Sequence, residues 1–343
     1  MRLLIPFLML ILPIAALRSE EPTDVLPPER WREIEASIDR GLDYLVRHQS
    51  PDGSFDAPRT GQPGVTSLAV LAFLSRGHTP IDGQYGENLL KAVDFVLACQ
   101  RPDGLLSAAE PEPHHVHDGA SHCGNYNHAI AALMLTEVYG MLPPDRTERA
   151  SAAIKDALRF TRGQQTKPRN NAEERGGVRY LRPRQGWEAD LSVTSWQLMF
   201  YRSARNAGFE VPVGFVDEAM AYIRRCFDQR QHTFTYNLPG GAWLATHGLA
   251  GGGIVSLALG GEHHSDMAKE AGDWILLHFE RRYNQGPGPY HYGVYYSSQG
   301  MCQLGGEHWK KFFPQLARIL LEHQSPDGSW ETENDHNGDF FGR

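Results

Sequence analysis

The sequence predicts an all-α protein built as a ring of helical hairpins, an α/α toroid. Three observations predict it. First, the heptapeptide Gln49-Ser50-Pro51-Asp52-Gly53-Ser54-Phe55 returns as Gln324-Ser325-Pro326-Asp327-Gly328-Ser329-Trp330, with a shorter copy, Gln100-Arg101-Pro102-Asp103-Gly104, between them. Second, each copy ends an amphipathic helical pattern (LDYLVRHQ, VDFVLACQ, LARILLEHQ). Pro-Asp-Gly stops the helix: Pro cannot continue it, Asp bonds its own backbone, and Gly accepts positive φ. Third, helices with a charged face alternate with helices apolar nearly all round and rich in Ala, Gly and Ser. The first kind meets water and the second is enclosed. Charged helices outside and small-residue helices inside describe two concentric rings. A straight solenoid also stacks helix pairs, but does not need second helices so uniformly apolar.

The hairpins follow in order. Trp31 to Gln49 pairs with Val65 to Gly77, Gly86 to Gln100 with Tyr126 to Gly140, and Arg146 to Gln165 with Leu191 to Gly208. Gly214 to Phe227 pairs with Thr246 to Gly260, and Ser265 to Tyr283 with Tyr295 to Leu304. A sixth begins at His308 and stops at Gln324, followed after Trp330 by the polar tail 331–343, so a six-fold ring lacks its last inner helix in this reading. The longest loops, Leu105 to Asn125 and Thr166 to Asp190, join first to second helices and should gather over one mouth. Loops of that length in a compact domain are more often functional than decorative.

The repeat runs through nearly all 343 residues, so 31–330 reads as one toroid domain. A formal charge of −8 argues against nucleic acid or an anionic membrane surface as partner. Residues 1–19 read as a secretory signal: one basic residue, a short apolar run broken by prolines, then small residues. Residues 20–30 read as a disordered, Pro/Glu-rich leader, and no later segment is apolar enough to span a bilayer. The expected location is secreted or periplasmic. Export permits disulfides: Cys99 and Cys123 flank one loop and are one possible pair, while the alternative is four small buried hydrophobes, Cys226 and Cys302 included.

The Gln-x-x-x-Gly-Ser-Phe/Trp turns and paired helices resemble the prenyltransferase and squalene-oxidase repeat. That repeat builds the α/α toroid of squalene–hopene cyclases and protein prenyltransferase β-subunits. The blocks Tyr126-Asn127-His128-Ala129-Ile130-Ala131-Ala132-Leu133, Gly176-Gly177-Val178-Arg179-Tyr180, Asp190-Leu191-Ser192-Val193-Thr194-Ser195-Trp196-Gln197-Leu198 and Gly305-Gly306-Glu307-His308-Trp309-Lys310-Lys311 resemble a secreted bacterial branch of that superfamily. The resemblance covers roughly Trp31 to Trp330. It implies the fold and no particular reaction. It also implies one more apolar helix after the final turn, which this sequence does not carry.

Triterpene cyclases open their reaction with an Asp-x-Asp-Asp acid, and the nearest acidic pair here is Glu188-Ala189-Asp190, without the third carboxylate. Asp190 reads either as a proton donor or as the N-cap of Leu191-Ser192-Val193-Thr194. The Asp-x-Cys zinc pair of protein prenyltransferases is absent, since Leu97, Ser121, Arg224 and Gly300 stand two residues before the cysteines. No cofactor is implied. His122, Cys123 and His128 are ligand types suited to zinc or copper, in a spacing that matches no closed site. Trp187, Trp196, Trp243, Tyr290, Tyr292, Tyr295 and Tyr296, with His247 and His291 among them and His128 on the second inner helix, form an aromatic set. These residues either fill the wall or line a chamber for a small apolar ligand, isoprenoid-like or a sugar face. The fold can instead serve as a non-catalytic scaffold for protein or an envelope component, or as a glycan-processing barrel with two facing carboxylates.

Overall fold

The structure, a computed structural model, describes residues 25–331 except 183, 185, 187, 239–244, 280–282 and 285–288. The expected signal segment and nearly all of the polar tail lie outside those residues. Eleven α-helices are described: α1 (Pro28–Arg47), α2 (Gly64–Ser75), α3 (Gly86–Ala98), α4 (Ala120–Val138), α5 (Pro144–Gln165), α6 (Leu191–Asn206), α7 (Val213–Arg225), α8 (His247–Leu259), α9 (Asp266–His278), α10 (Tyr290–Leu304) and α11 (Gly306–Glu322). Several boundaries differ from expectation; α9, for one, ends at His278 and not at Tyr283, because Phe279 turns to an extended conformation. Helix α1 starts inside the expected leader, with Pro28 in its first turn, where a missing N–H costs nothing. Helix α4 starts six residues early, because the Glu112 carboxylate accepts from the free N–H groups of Ala120 and Ser121. Helix α10 starts at Tyr290, so its tyrosines lie within the helix and not before it.

Packing runs α2–α4–α6–α8–α10 through the inner helices, each backed by odd-numbered outer helices, and α1 meets α11 to close the outer ring. This is the two-ring arrangement that the alternation of helix types predicts. Helices α4, α6 and α8 are buried almost throughout, whereas α2 and α10 keep half-exposed residues such as Leu68, Leu71, Tyr292 and Tyr295. Those two helices flank the position of a sixth inner helix, and none follows α11 among the described residues.

The repeated turns are the joints of the outer ring. Gln49 donates to the carbonyl of Asn88 on α3 (2.9 Å), and Gln100 to that of Ala153 on α5 (2.8 Å). Gln165 and Gln324 repeat the bond to Phe215 on α7 and to Ser37 on α1, each at 2.8 Å. The last of these ties the sixth repeat back to the first. The turn glycine makes the approach possible. Gly328 has φ +95°, and a Cβ there would lie 2.2 Å from the Arg40 carbonyl oxygen; Gly53 stands in the same relation to Lys91. The 176–180 turn takes this place in the third repeat, and the β1 (Phe227–Asp228) and β2 (Thr233–Phe234) pair in the fourth. Helices α8 and α10 approach closest: a Cβ on Gly251 would lie 2.4 Å from the Tyr296 carbonyl carbon. Gly251 opens the run Gly251-Gly252-Gly253, which lies inside a helix and serves close contact.

Candidate functional site

Helix α6 begins at Asp190, which is fully buried, and the start is fixed from several sides. The Asp190 amide donates to Val178 O (3.0 Å), its Oδ1 accepts from Val193 N (2.7 Å), and Leu191 N donates to Tyr236 O (2.8 Å). The N-cap alternative is therefore realised. The other carboxylate oxygen does something a cap does not require. Oδ2 accepts from the Tyr236 hydroxyl (3.1 Å) and lies 3.4 Å from Nε of Arg179, whose side chain is also buried. Tyr180 and Tyr236 share a hydrogen bond at 2.9 Å, and the Arg179 guanidinium sits 4.5 Å and 5.3 Å from their ring centres. Arg179 thus packs over Tyr180 and pairs with the cap residue as well. Burial pushes the Asp190 carboxyl up to about 6, against the opposing pull of Arg179 and the Val193 amide.

One turn further on, α6 meets α10 across the ring. The Ser192 and Tyr292 hydroxyls are hydrogen-bonded. Trp196 stacks on Tyr295 (centroids 5.3 Å apart, 23° between planes) and meets Tyr296 edge-on at 5.4 Å. Tyr126 of α4 completes the group, beside Ser192 and close enough to Asp190 for that carboxylate to bear on its hydroxyl. Trp196 and Tyr296 are fully buried, while Tyr126, Tyr292 and Tyr295 keep accessible faces. Burial raises every phenol of the set, Tyr295 to about 12, so all are neutral at physiological pH.

The two long loops meet over this end. Leu181 N donates to Ser121 O (3.0 Å) and Arg182 Nε to Glu112 O (3.0 Å). Beneath them His122 stacks on Tyr180 (3.9 Å) and bonds His115 (3.2 Å). Burial pushes His122 down to about 4.

Of the residues singled out by sequence, Asp190, Trp196, Tyr292 and Tyr296 come together. Glu188 does not join Asp190: its carboxylate accepts from Asn170 N (2.6 Å) and staples the 166–190 loop, so the two are not a facing acid pair. His128 turns away from the lumen, its Nδ1 accepting from Leu106 N (3.1 Å) and its Nε2 bonded to Thr161 (2.9 Å). Both ring nitrogens are used, so it is neither a lumen contact nor a metal ligand. Among the described residues no three His, Cys, Asp or Glu side chains gather as a metal-binding group, so His122 and Cys123 lack the partners a site needs. His247 packs towards α9, against Trp274 (5.5 Å) and Phe279 (5.8 Å), and not into the lumen. Tyr290 and His291 pack beside Tyr283. Trp187 and Trp243 lie outside the described residues. All four cysteines are free thiols, and Cys302 is exposed, so neither a Cys99–Cys123 bridge nor four buried sulfurs is found. Tyr126 and Tyr236 are members of the site that the sequence does not single out. The signal for Tyr126 was its place at the head of the YNHAIAAL block.

Solved structures with this architecture can be named. The type II terpene cyclase MstE from Scytonema, in complex with geranylgeranyl dihydroxybenzoate, superposes with a TM-score of 0.59 at 15% identity, covering 89% of this chain and 83% of that one. Its complex with merosterolic acid A gives 0.57 at 17% identity, over 90% and 85%. A protein from Actinoplanes gives 0.54 at 16% identity, over 88% and 84%. The chain has the terpene cyclase toroid fold. No family model matches the sequence, and no curated protein matches it. At these identities the likeness concerns the backbone. No described helix of this toroid is long and apolar enough to cross a membrane.

Proposed function

We propose that the protein binds an isoprenoid-like ligand in the lumen of its toroid, after export to the periplasm or beyond. The observation that carries this reading is the convergence of Tyr126, Trp196, Tyr292 and Tyr295 from α4, α6 and α10, with accessible faces left on three of them. A wall of neutral aromatic rings suits a polyene and stabilises positive charge on it through the ring faces. The similar MstE toroid holds a geranylgeranyl compound in one structure and its product in another, which supports the same class of ligand here. Asp190 lies behind this wall, fully buried against Arg179 and Tyr236, so the reading rests on the aromatic rings and assigns Asp190 no direct contact with the ligand.

Trp196 is stacked on the accessible ring of Tyr295 and reports on the lumen through it. Titrating the protein with geranylgeraniol or squalene should quench its fluorescence, and Tyr292→Ala and Tyr295→Ala should each weaken binding by about tenfold, as for loss of an aromatic contact. Neither quenching nor lipid retained on purification would leave the reading without support.

A further inference from the structure

We infer that Tyr180 and Tyr236 form a proton wire linking the mouth of the toroid to Asp190. The inference concerns the protein without ligand and holds whatever the lumen binds. Asp190 is fully buried, so any proton it gains or loses passes through a neighbour. Its carboxylate touches the Val193 amide, the Arg179 guanidinium and the Tyr236 hydroxyl. An amide N–H and a guanidinium do not release protons in this range, whereas a phenol both gives and takes one. From Tyr236 the chain continues over 2.9 Å to the Tyr180 hydroxyl. Tyr180 is half-buried under His122, which bonds His115 on the exposed rim.

A proton transfer along this chain balances. Asp190 Oδ2 takes the Tyr236 proton, the Tyr236 oxygen takes that of Tyr180, and the Tyr180 oxygen takes one from a hydronium at the mouth. Three O–H bonds break and three form, no electron pair leaves the chain, and rotation of the two hydroxyls resets it. Arg179 lies against both rings and favours transient negative charge on either oxygen. The titratable and charged groups facing Asp190 are Arg179 and Tyr180 from the 176–180 turn, Tyr236 after β2, Tyr126 on α4, Tyr292 on α10, Tyr222 on α7 and Cys226 just after it. The phenols and the thiol stay neutral and Arg179 stays charged where Asp190 titrates.

Time-resolved infrared spectroscopy after a pH jump through about 6 follows the Asp190 carboxyl band, assigned by its loss in Asp190→Asn. Tyr180→Phe removes one oxygen, keeps the ring on His122 and leaves the Tyr236–Asp190 bond intact. The wire predicts an unchanged midpoint in this variant but protonation slowed about a hundredfold, the scale of losing a positioned proton carrier. A purely structural role for Tyr180 would shift the midpoint or the melting temperature and leave the rate alone. A Tyr180→Phe rate equal to wild type overturns the proposal, as does an Asp190 band that never titrates. On the unsubstituted protein, a rate falling non-linearly with D2O fraction, as several protons in flight require, is the expected result. A linear dependence overturns the wire even if no variant folds.

Discussion

The Arg179–Asp190 pair is the most demanding feature of the fold to disturb, because both side chains are buried. Asp190→Ala leaves the Arg179 guanidinium without its counter-charge, which costs about 3–5 kcal/mol at a buried site. The same change removes the cap on Val193 N, about 1 kcal/mol more. The sum is about 4–6 kcal/mol, a large part of the roughly 5–15 kcal/mol that holds a domain folded. For 343 residues the unfolding entropy is about 0.7 kcal/mol/K, so Tm should fall by about 6–8 °C. Asp190→Asn keeps a capping oxygen and should cost about 1 kcal/mol less. Arg179→Met strands the carboxylate instead, which escapes by taking a proton. Its folded pKa is already raised, so the penalty should be small below about pH 6 and grow as pH rises through that value. The double variant Arg179→Met/Asp190→Asn should be less damaged than the two single losses added, with a coupling of about 2–3 kcal/mol. Denaturant or thermal unfolding followed by circular dichroism measures all four proteins. Additive losses, or single variants within about 1 kcal/mol of the parent, would falsify the account of a coupled buried pair.

Gln324→Ala removes the joint between the sixth and first repeats and leaves the Ser37 carbonyl without that donor. It should cost about 1–3 kcal/mol in chemical denaturation, and a neutral result would mean that this bond does not close the ring. Two glycine substitutions separate strain from collision. Gly77→Ala, with φ +88° and open space around it, should cost about 1–2 kcal/mol, whereas Gly328→Ala also drives a methyl into the Arg40 carbonyl and should cost more. Equal losses would show that the backbone yields freely at that joint. His128 is held neutral, its pKa pushed down from 6.5 to about 4 by burial. The unfolded chain takes up that proton first as pH falls, so the stability His128 confers is complete above pH 6.5 and declines by about 3 kcal/mol towards pH 4. His128→Gln should flatten the acid limb of the Tm–pH profile; an unchanged slope would assign it to other groups.

Much of the fold was legible because its signals are local. Helix stops were marked by Pro-Asp-Gly, and the outer helices by charged faces, as in α1 and α11. The site was legible only in part. Asp190 could be read as a cap from Leu-Ser-Val-Thr after it, but its ion pair joins it to the preceding turn, and its hydroxyl donor comes from beyond β2. Trp196, Tyr292 and Tyr296 lie on inner helices and meet there, yet His247 and His128 also lie on inner helices and face outward.

The physical reason is rotational phase. An amphipathic outer helix declares its buried side through its period, so the sequence alone determined the number of hairpins, their order and which member lies inside. An inner helix such as α8 is apolar all round and buried on nearly every residue, so its period carries no angle. Which side chains of α4, α6, α8 and α10 point at the lumen was decided by tertiary packing. The contacts that set it are small-residue ones, such as Gly251 against Tyr296 and Gly64 against Asn127, which fix how closely and at what turn each helix lies on the next.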